Sequence, residues 1–359
     1  MPQTFYNQDS SVIDPMMYSK YIKYEEIAPY TKDIIKDIAT PKILNIFIDL
    51  YSMITPLFKF YRFDNPLSLT ACMANAAIHY RNYFRKLGFY SNIFLIYSPT
   101  MSHNNLRYCP EYNNYNIISM TNNRDVSRLL EENLELVDMV CRYLPDIFFR
   151  QGTVEVPVII TDMISKFNAK NFHTSALVIS SSPISFQIPC ICSNAKVLYL
   201  RRSREVLYVD NTNALNQAAL LNDKKAKLRE LDQSWVAGYY TLCAPNKRSM
   251  SHMCSTNPAL KILAQIYANN ETLNTQSLYE HFMERYLQTK SKDKMSPKEV
   301  MDKIYNRFMC LDFNHQLALY RLMPESSETG YLSQLQDLDE LYKINDTYFR
   351  SNPINLDMM

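Results

Sequence analysis

The stretch "ALVISSSPISFQI" (residues 176–188) decides the fold, because it joins a buried strand to a turn and the start of a helix. A short, continuous apolar run such as "ALVI" is typical of a strand buried on both faces of a parallel sheet. Three serines and Pro183 follow the run and predict a turn at its end. The stretch therefore predicts an α/β fold whose strand end carries hydroxyl groups.

Comparable apolar runs lie on both sides of this stretch and alternate with segments of helical periodicity. Strands are predicted in 41–49, 91–99, 146–152, 195–202 and 205–211, the last two as a hairpin. Helices are predicted in 69–89, 122–144 and 158–171, the first of them ending at Gly88. This alternation indicates a parallel sheet with right-handed crossovers. Ligands bind at the carboxyl ends of such strands, where Asp49, Ser98 and Ser182 lie.

The pattern changes along the chain and predicts four regions. Residues 1–40 form a polar N-terminal extension, and 41–212 form the α/β domain. Residues 213–323 are helical, with "ALNQAALLNDKKAKLRELDQSWVAGYYTLC" as the first helical segment and a capping box from Ser296 to Glu299 further on. Residues 324–359 form an acidic, polar tail, which we expect to cover the body rather than to build its core.

Charge and glycine content limit the kinds of binding that the chain can use. The net charge of +2 comes from 38 basic and 36 acidic residues, so nucleic-acid binding would need local basic patches. The chain has only four glycines, where an average chain of this size has about 25. Glycine-rich phosphate loops are therefore excluded.

The cysteines and the lack of long apolar runs indicate the compartment. Eight cysteines at irregular spacing are typical of free thiols in a reducing environment. No run approaches the roughly 18 apolar residues of a membrane span, and the N-terminus lacks the pattern of a signal peptide. We expect a cytoplasmic protein without membrane contact, in the host cytoplasm if the chain is encoded by a phage.

Four segments between about residues 40 and 265 resemble, in order, the 5′-to-3′ exonuclease and flap-endonuclease family, especially its bacterial and phage branch. They are "NIFIDLYSMI" (45–54), "IFLIYSPTMSHNNLRYCPEYNNYN" (93–116), "GTVEVPVIITDMISKF" (152–167) and "ALVISSSPISFQI" (176–188). The resemblance implies a PIN-like, 5′-nuclease-like domain: a parallel twisted sheet flanked by helices. It also implies that the helical region is a degenerate helix–three-turn–helix domain.

The resemblance assigns the family's metal-binding carboxylates to positions where this chain has mostly lost them. In that family the carboxylates hold two divalent cations that activate water. Asp49 and Glu155 match two of these acids, and Asp162, one helical turn after Val158, is a possible third carboxylate. The remaining acid positions are occupied by Ser98, Pro157, Val158, Ser182 and Ile184. Because these side chains bind hard cations poorly or not at all, we expect no catalytic residues, no metal site and no cofactor.

The DNA-binding features that the resemblance implies are reduced as well. Arg107 and Tyr112 persist in the arch-like stretch, where Asn113 and Asn116 replace a lysine and an arginine. Cys243 stands in a loop that lacks the family's glycines. The remaining candidates for nucleic-acid contact are basic residues in two further segments, Arg201, Arg202, Arg204, Lys247 and Arg248.

Three functions remain open at this point. The chain is a catalytically inactive subunit of a larger protein assembly, or a DNA-binding protein without cleavage, or a nuclease with residual Mg²⁺- or Mn²⁺-dependent activity through Asp49, Glu155 and Asp162. Its abundance of Tyr, Asn, Ile and Lys favours an AT-rich bacteriophage as the source, so its partners would be phage-encoded. The alternative role for Asp49 is purely structural: it would be the N-cap of a helix beginning at Leu50.

Overall fold

The computed structural model describes residues 43–54, 66–98, 131–170, 175–200, 206–245, 252–288, 295–322, 337–350 and 353–356. Six strands form one sheet in the order β3-β2-β1-β4-β5-β6. They are β1 (Ile43–Asp49), β2 (Tyr90–Tyr97), β3 (Ile147–Gln151), β4 (Ser175–Ser180), β5 (Ala195–Leu200) and β6 (Val206–Val209). All neighbours run parallel except the antiparallel pair of β5 and β6. The predicted α/β fold and its hairpin are confirmed.

Strand β1 lies in the middle of the sheet and is buried on both faces. Because side chains alternate along a strand, Phe47 points to one face and Ile46 and Ile48 point to the other. Phe47 stacks on Phe94 of β2 with ring centroids 4.9 Å apart, and Phe94 stacks on Phe148 of β3 at 5.0 Å. The three rings occupy paired positions, so their stacking favours this register across the three strands.

The helices of the α/β part cover the two faces of the sheet. They are α1 (Leu50–Ile54), α2 (Pro66–Lys86), α3 (Leu134–Tyr143), α4 (Val156–Ala169) and α5 (Ile188–Ile191). Helix α2 is followed by Gly88 at a φ of +87°, as expected for a helix C-terminus. Helix α4 begins two residues earlier than predicted, because Pro157 fits into the first turn of a helix.

The helices are divided between two core clusters, one on each face of the sheet. The first core cluster, with Phe47, Phe94 and Val178 from the sheet, includes α4 and the helical region that follows. The second core cluster, with Ile46, Ile48 and Leu177, includes α2 and α3 on the opposite face. Every parallel strand is therefore covered on both sides, which explains its nearly continuous apolar sequence.

The helical region consists of α6 (Ala214–Asn222), α7 (Val236–Leu242), α8 (Thr256–Ala268), α9 (Thr275–Gln288), α10 (Pro297–Leu311) and α11 (Phe313–Arg321). The capping box of Ser296 and Glu299 is confirmed at the start of α10. The first predicted helical segment of this region is wrong between α6 and α7. There, the carboxylates of Asp223 and Asp232 accept the backbone N–H groups two residues further on, at 2.9 Å each. Such local bonds form turns that compete with a helix.

The C-terminal tail differs from its expected role as a cover. Its helix, α12 (Leu338–Tyr348), packs against α3, and Leu341 and Ile344 are buried in the second core cluster. Ile354 and Leu356, beyond the helix, join the same cluster. These apolar residues of a polar segment are therefore part of the second core cluster.

Gln187 joins the turn after β4 to the helical region. Its Nε2 donates to the carbonyl of Leu311 at 2.7 Å, and its Oε1 accepts from the backbone N–H of Phe313 at 3.3 Å. Both ends of this buried amide are therefore satisfied at the junction of α10 and α11.

Two further properties bear on the sequence predictions. Seven cysteines lie within the described residues and all are free thiols, while Cys109 lies outside the described residues. Among the helices of the described ranges, none is long and apolar enough to cross a membrane.

Candidate functional site

The candidate site lies where the order of the strands reverses in the sheet. From β1 the chain adds β2 and β3 on one side, and it then returns to place β4 and β5 on the other. Ligands of open α/β sheets bind beside such a switch point, outside the carboxyl ends of the strands. Asp49 is the last residue of β1 and Ser180 is the last residue of β4, and the pairing of Ile48 with Ile179 makes them neighbours.

Asp49 is held by a ring of serines, here called the Asp49–serine network (Asp49, Ser52, Ser180 and Ser181). Ser180 Oγ donates to Asp49 Oδ2 at 3.1 Å, and Ser52 Oγ donates to the same oxygen. The backbone N–H of Ser52 lies 3.5 Å from Asp49 Oδ1. Asp49 thus also occupies the N-cap position before α1, which is the structural role predicted as the alternative.

Hydrogen bonds of the same network also stabilise the turn that follows β4. Ser181 N donates to Ser52 Oγ at 2.8 Å, and the Ser181 and Ser52 hydroxyl oxygens are also 2.8 Å apart. Ser182 N donates to Ser180 Oγ at 3.0 Å. The backbone N–H groups of this turn are therefore bonded to serine side chains and are not available to hold an anion. Sequence reasoning missed Ser52, although its position three residues after Asp49 is the usual one for a bond to a capping side chain.

Asp49 is poorly solvated, with 7% of its surface exposed. Burial raises the pKa of Asp49, and the hydrogen bonds from Ser52 and Ser180 offset only part of this effect. The ionised carboxylate is thus less stable inside the folded chain than in water.

The other predicted acid positions do not rebuild a carboxylate cluster. Ser98 directly follows β2 and is buried, and its hydroxyl oxygen has no hydrogen-bond partner among the described residues. The carbonyl of Ser182 accepts Ser185 N at 3.1 Å, so Ser182 opens the turn that leads to Gln187. Val158 and Ile184 belong to the first core cluster, and Pro157 is in the first turn of α4.

Asp162 is engaged in ion pairs. Its Oδ1 lies 2.9 Å from Arg321 Nε of α11, and its Oδ2 lies 2.9 Å from Lys166 Nζ one turn further along α4. Burial alone would raise the pKa of Asp162, but the bonds from Lys166 and Arg321 outweigh it and hold the pKa below its usual value. The carboxylate therefore links the α/β part to the helical region. Sequence reasoning missed Arg321, which is 159 residues away.

Glu155 occupies the N-cap position of α4 and is partly buried. Its carbonyl accepts the backbone N–H of Val158 at 2.9 Å, and its side chain makes no capping bond to the first turn. The location fits an acid that interacts favourably with a helix N-terminus.

Among the described residues, the side chains at this edge of the sheet do not fit the two-cation site that the resemblance implies. Asp49 Oδ2 already accepts two hydroxyls, and two cationic side chains neutralise Asp162. Within the ranges that the structure covers, no three His, Cys, Asp or Glu side chains are grouped to hold a metal ion. Hard divalent cations need several carboxylate or carbonyl oxygens, and this edge of the sheet offers mainly serine hydroxyls.

All seven predicted nucleic-acid contacts lie outside the described residues. These are Arg107, Tyr112, Arg201, Arg202, Arg204, Lys247 and Arg248. A further basic segment, residues 224–229 between α6 and α7, lies within the described residues, and its Lys224, Lys225, Lys227 and Arg229 are exposed.

The turn at Cys243 is packed and internally bonded. Cys243 and Ala244 are buried, and Asn222 Nδ2 lies 3.3 Å and 3.0 Å from their carbonyl oxygens. Cys243 Sγ lies 3.4 Å from His252 Nδ1. These two carbonyls thus accept hydrogen bonds from the Asn222 side chain.

The fold is similar to that of the bacteriophage T5 flap endonuclease. A variant of that enzyme, in a pseudo-enzyme–product complex with DNA and metal ions, aligns with a TM-score of 0.51 and 9% identity, over 84% of this chain and 97% of that chain. The T5 protein crystallised with metal ions gives a TM-score of 0.49 at 9% identity, covering 86% and 99% of the two chains. The catalytic core of Rad2 with a DNA substrate gives 0.42 at 11% identity, covering 86% and 87%.

No protein-family model matches the sequence, and no curated protein matches it significantly. The predicted resemblance in fold to the 5′-to-3′ exonucleases and flap endonucleases is confirmed by the first T5 structure. This chain therefore has a flap-endonuclease-like fold.

Replacing Asp49 with Asn should stabilise the folded chain. At the position of Oδ2, the amide oxygen can still accept from the Ser52 and Ser180 hydroxyls. The amide nitrogen at the position of Oδ1 loses the long, 3.5 Å contact from Ser52 N–H, and no charge remains to be desolvated. The gain should be about 0.5–2 kcal/mol near neutral pH, the range that a single stabilising substitution commonly gives. Because the native pKa of Asp49 is raised, the wild-type chain loses stability as pH rises from the unfolded value of 3.8 through the native value. Urea unfolding should show a smaller gain at about pH 3.5 than at about pH 7, and a destabilised variant at neutral pH would contradict this.

Replacing Asp162 with Asn should have the opposite effect. The variant should lose about 1.5–3 kcal/mol of unfolding free energy, the usual range for hydrogen bonds to charged groups. Because the native pKa of Asp162 is lowered, its contribution is present above the unfolded value of 3.8 and is lost as pH falls through the native pKa. Urea unfolding should therefore show the loss near neutral pH and a smaller one in acid. Arg321→Gln is the matched control, with a smaller loss expected because the Arg321 side chain is 51% exposed.

Proposed function

We propose that this chain is a 5′-nuclease-like protein that does not cleave nucleic acid and acts as a structural or interaction subunit of a larger assembly. The observation that carries the proposal is the state of Asp49. Its Oδ2 accepts hydroxyls from Ser52 and Ser180 at the switch point of the sheet, where the fold family has its metal-binding acids. A divalent cation would have to displace these bonds and would gain, among the described residues at this edge, the one buried carboxylate of Asp49.

The other replacements support the same conclusion. Val158 and Ile184 are core residues at acid positions, so carboxylates there would have to be buried within an apolar cluster. Burying a charge without a partner is strongly unfavourable. Asp162 has cationic partners that would also repel an incoming cation. The framework of strands is intact while each of these chemical positions is altered, which favours a protein retained for its shape and its contacts. A phage-encoded assembly remains a prediction from composition.

Cleavage and metal binding should both be absent. Wild-type protein and Asp49→Ala should leave a 5′-flap DNA equally intact in Mg²⁺ and in Mn²⁺, measured by gel electrophoresis. Millimolar Mn²⁺ should also leave the melting temperature unchanged. Binding at ten times the dissociation constant would add about 1.4 kcal/mol of stability, which such a measurement detects. Mn²⁺-dependent cleavage that Asp49→Ala abolishes would establish a residual nuclease instead.

Binding of DNA without cleavage is the second candidate, and the exposed basic segment between α6 and α7 favours it. Lys224, Lys225, Lys227 and Arg229 lie close together in sequence and point to solvent. The T5 flap endonuclease variant of similar fold forms a complex with DNA, although this segment also contains the acidic residues Asp223 and Glu230. Cations in such a segment would contact phosphates and release counterions.

If the segment binds DNA, replacing Lys224 and Lys225 with Ala should weaken the binding of single-stranded or flap DNA. The log–log slope of affinity against salt should fall by about 0.7–0.9 for each phosphate that the variant no longer neutralises. Lys298→Ala with Lys343→Ala removes the same charge from exposed positions elsewhere and should leave the slope unchanged. Fluorescence anisotropy at several salt concentrations measures this. Wild-type protein that binds no DNA at about 50 mM salt would remove the candidate.

A further inference from the structure

Two arginines lie one helical turn apart near the end of α2, and the first of them is fully enclosed. Arg81 has no exposed surface, whereas the Arg85 side chain is 31% exposed. Burying a cation is strongly unfavourable unless it is paired and hydrogen-bonded. The partners of Arg81 therefore show whether its charge is compensated inside the chain.

The Arg81 guanidinium has acceptors for two of its three nitrogens. Nη1 donates to the carbonyl of Pro145 at 2.6 Å, and Nε donates to Asn82 Oδ1 at 3.2 Å. Nη2 is buried and has no hydrogen-bond partner among the described residues. Buried polar groups in folded proteins are almost always bonded, so an orphaned group of this kind points to a bound water or ion.

The carboxylate beside the two arginines already accepts from other donors. Asp146 Oδ2 accepts from Arg85 Nη2, and Asp146 Oδ1 accepts from the Tyr90 hydroxyl at 2.8 Å. Arg85 also lies over the Tyr90 ring, with its guanidinium carbon 5.6 Å from the ring centroid. Its Nε is buried and, like Arg81 Nη2, has no partner in the described part of the chain.

These four residues are here called the Arg81–Arg85 cluster (Arg81, Arg85, Tyr90 and Asp146), and their balance of charge is positive. Burial and the charge of Arg85 lower the pKa of Arg81 to about 10, although Asp146 and Tyr90 act in the opposite direction. With a pKa of about 10, Arg81 is still protonated at neutral pH. The cluster therefore has two guanidinium cations for one carboxylate.

The Arg81–Arg85 cluster lies at the edge of the sheet opposite to Asp49. Tyr90 is the first residue of β2, and Asp146 directly precedes β3. The carbonyl of Asp146 accepts Ile93 N at 2.8 Å, which ties this turn to the beginning of β2. Asp49 pairs with Ile96 near the other end of β2. A ligand of the cluster is thus separate from the candidate functional site.

We propose that the Arg81–Arg85 cluster binds a small monovalent anion of the halide class, such as chloride. The anion accepts the N–H of Arg81 Nη2 and lies beside Arg85, so it compensates the second guanidinium charge. This inference goes beyond the proposed function, because it depends on neither the loss of cleavage nor DNA binding.

The size and charge of the site favour a halide over other occupants. Because Arg81 Nη2 is buried, a single-atom anion fits better than a phosphate group or the carboxylate of a partner. A water molecule also accepts this N–H, but it leaves the excess charge uncompensated and needs acceptors for its own hydrogens.

Anion exchange at constant ionic strength tests the site on the full-length chain. Replacing sodium gluconate with sodium chloride should raise the melting temperature of the wild-type protein along a saturable curve, because an ion that binds only the folded state stabilises it. Arg81→Met keeps a long side chain without the cation and should lose this saturable rise. Arg142→Met is the matched control and should keep it, since Arg142 also pairs with a carboxylate, that of Asp138, outside the cluster.

A second measurement on the wild-type chain keeps the test decisive if Arg81→Met does not fold. Crystals grown in sodium bromide should show an anomalous bromide peak next to Arg81 Nη2. A wild-type melting temperature without a saturable response to chloride would overturn the proposal. The same saturable rise in folded Arg81→Met, or a water in place of bromide beside Arg81 Nη2, would also overturn it.

Discussion

The parallel pairing of β1 with β2 on one side and β4 on the other is the constraint on which the rest of the structure depends. It buries β1 on both faces, so most of its residues before Asp49 are apolar, and the buried Asn45 accepts a hydrogen bond from Asn92 Nδ2. Asp49 is the last residue of the strand. The same pairing places the end of β4 beside it, which determines that the neighbours of the carboxylate are serines.

Asp49 and Asp162, both buried, show two ways of keeping a carboxylate inside a protein. Asp162 has cationic partners, and its pKa is lowered. Asp49 has neutral hydroxyl donors, and burial keeps its pKa raised. An active two-cation site would balance several carboxylates with metal charge. Among the described residues at the switch point, Asp49 is the carboxylate, and it accepts hydrogen bonds from the hydroxyl groups of Ser52 and Ser180.

The strands and most helices could be predicted from sequence because their signals are local. The apolar runs ending at Asp49 and Ser180 and the capping box at Ser296 each depend on neighbouring residues. The partner of Asp162 could not be predicted in this way, because Arg321 reaches it only through the packing of α11 on α4. The role of the tail could not be predicted for a related reason. Leu341 and Ile354 lie among polar residues in the sequence, and only the fold of the chain brings them to the second core cluster.

We infer above all that Asp49 is bonded within the protein and does not bind a divalent cation. Electron paramagnetic resonance of Mn²⁺ titrated with the full-length protein tests this directly, because bound Mn²⁺ loses the sharp signal of the free ion. We expect the protein to leave the signal unchanged, for the wild-type chain and for Asp49→Ala alike. A stoichiometric loss of signal in the wild-type protein that disappears in Asp49→Ala would contradict this inference.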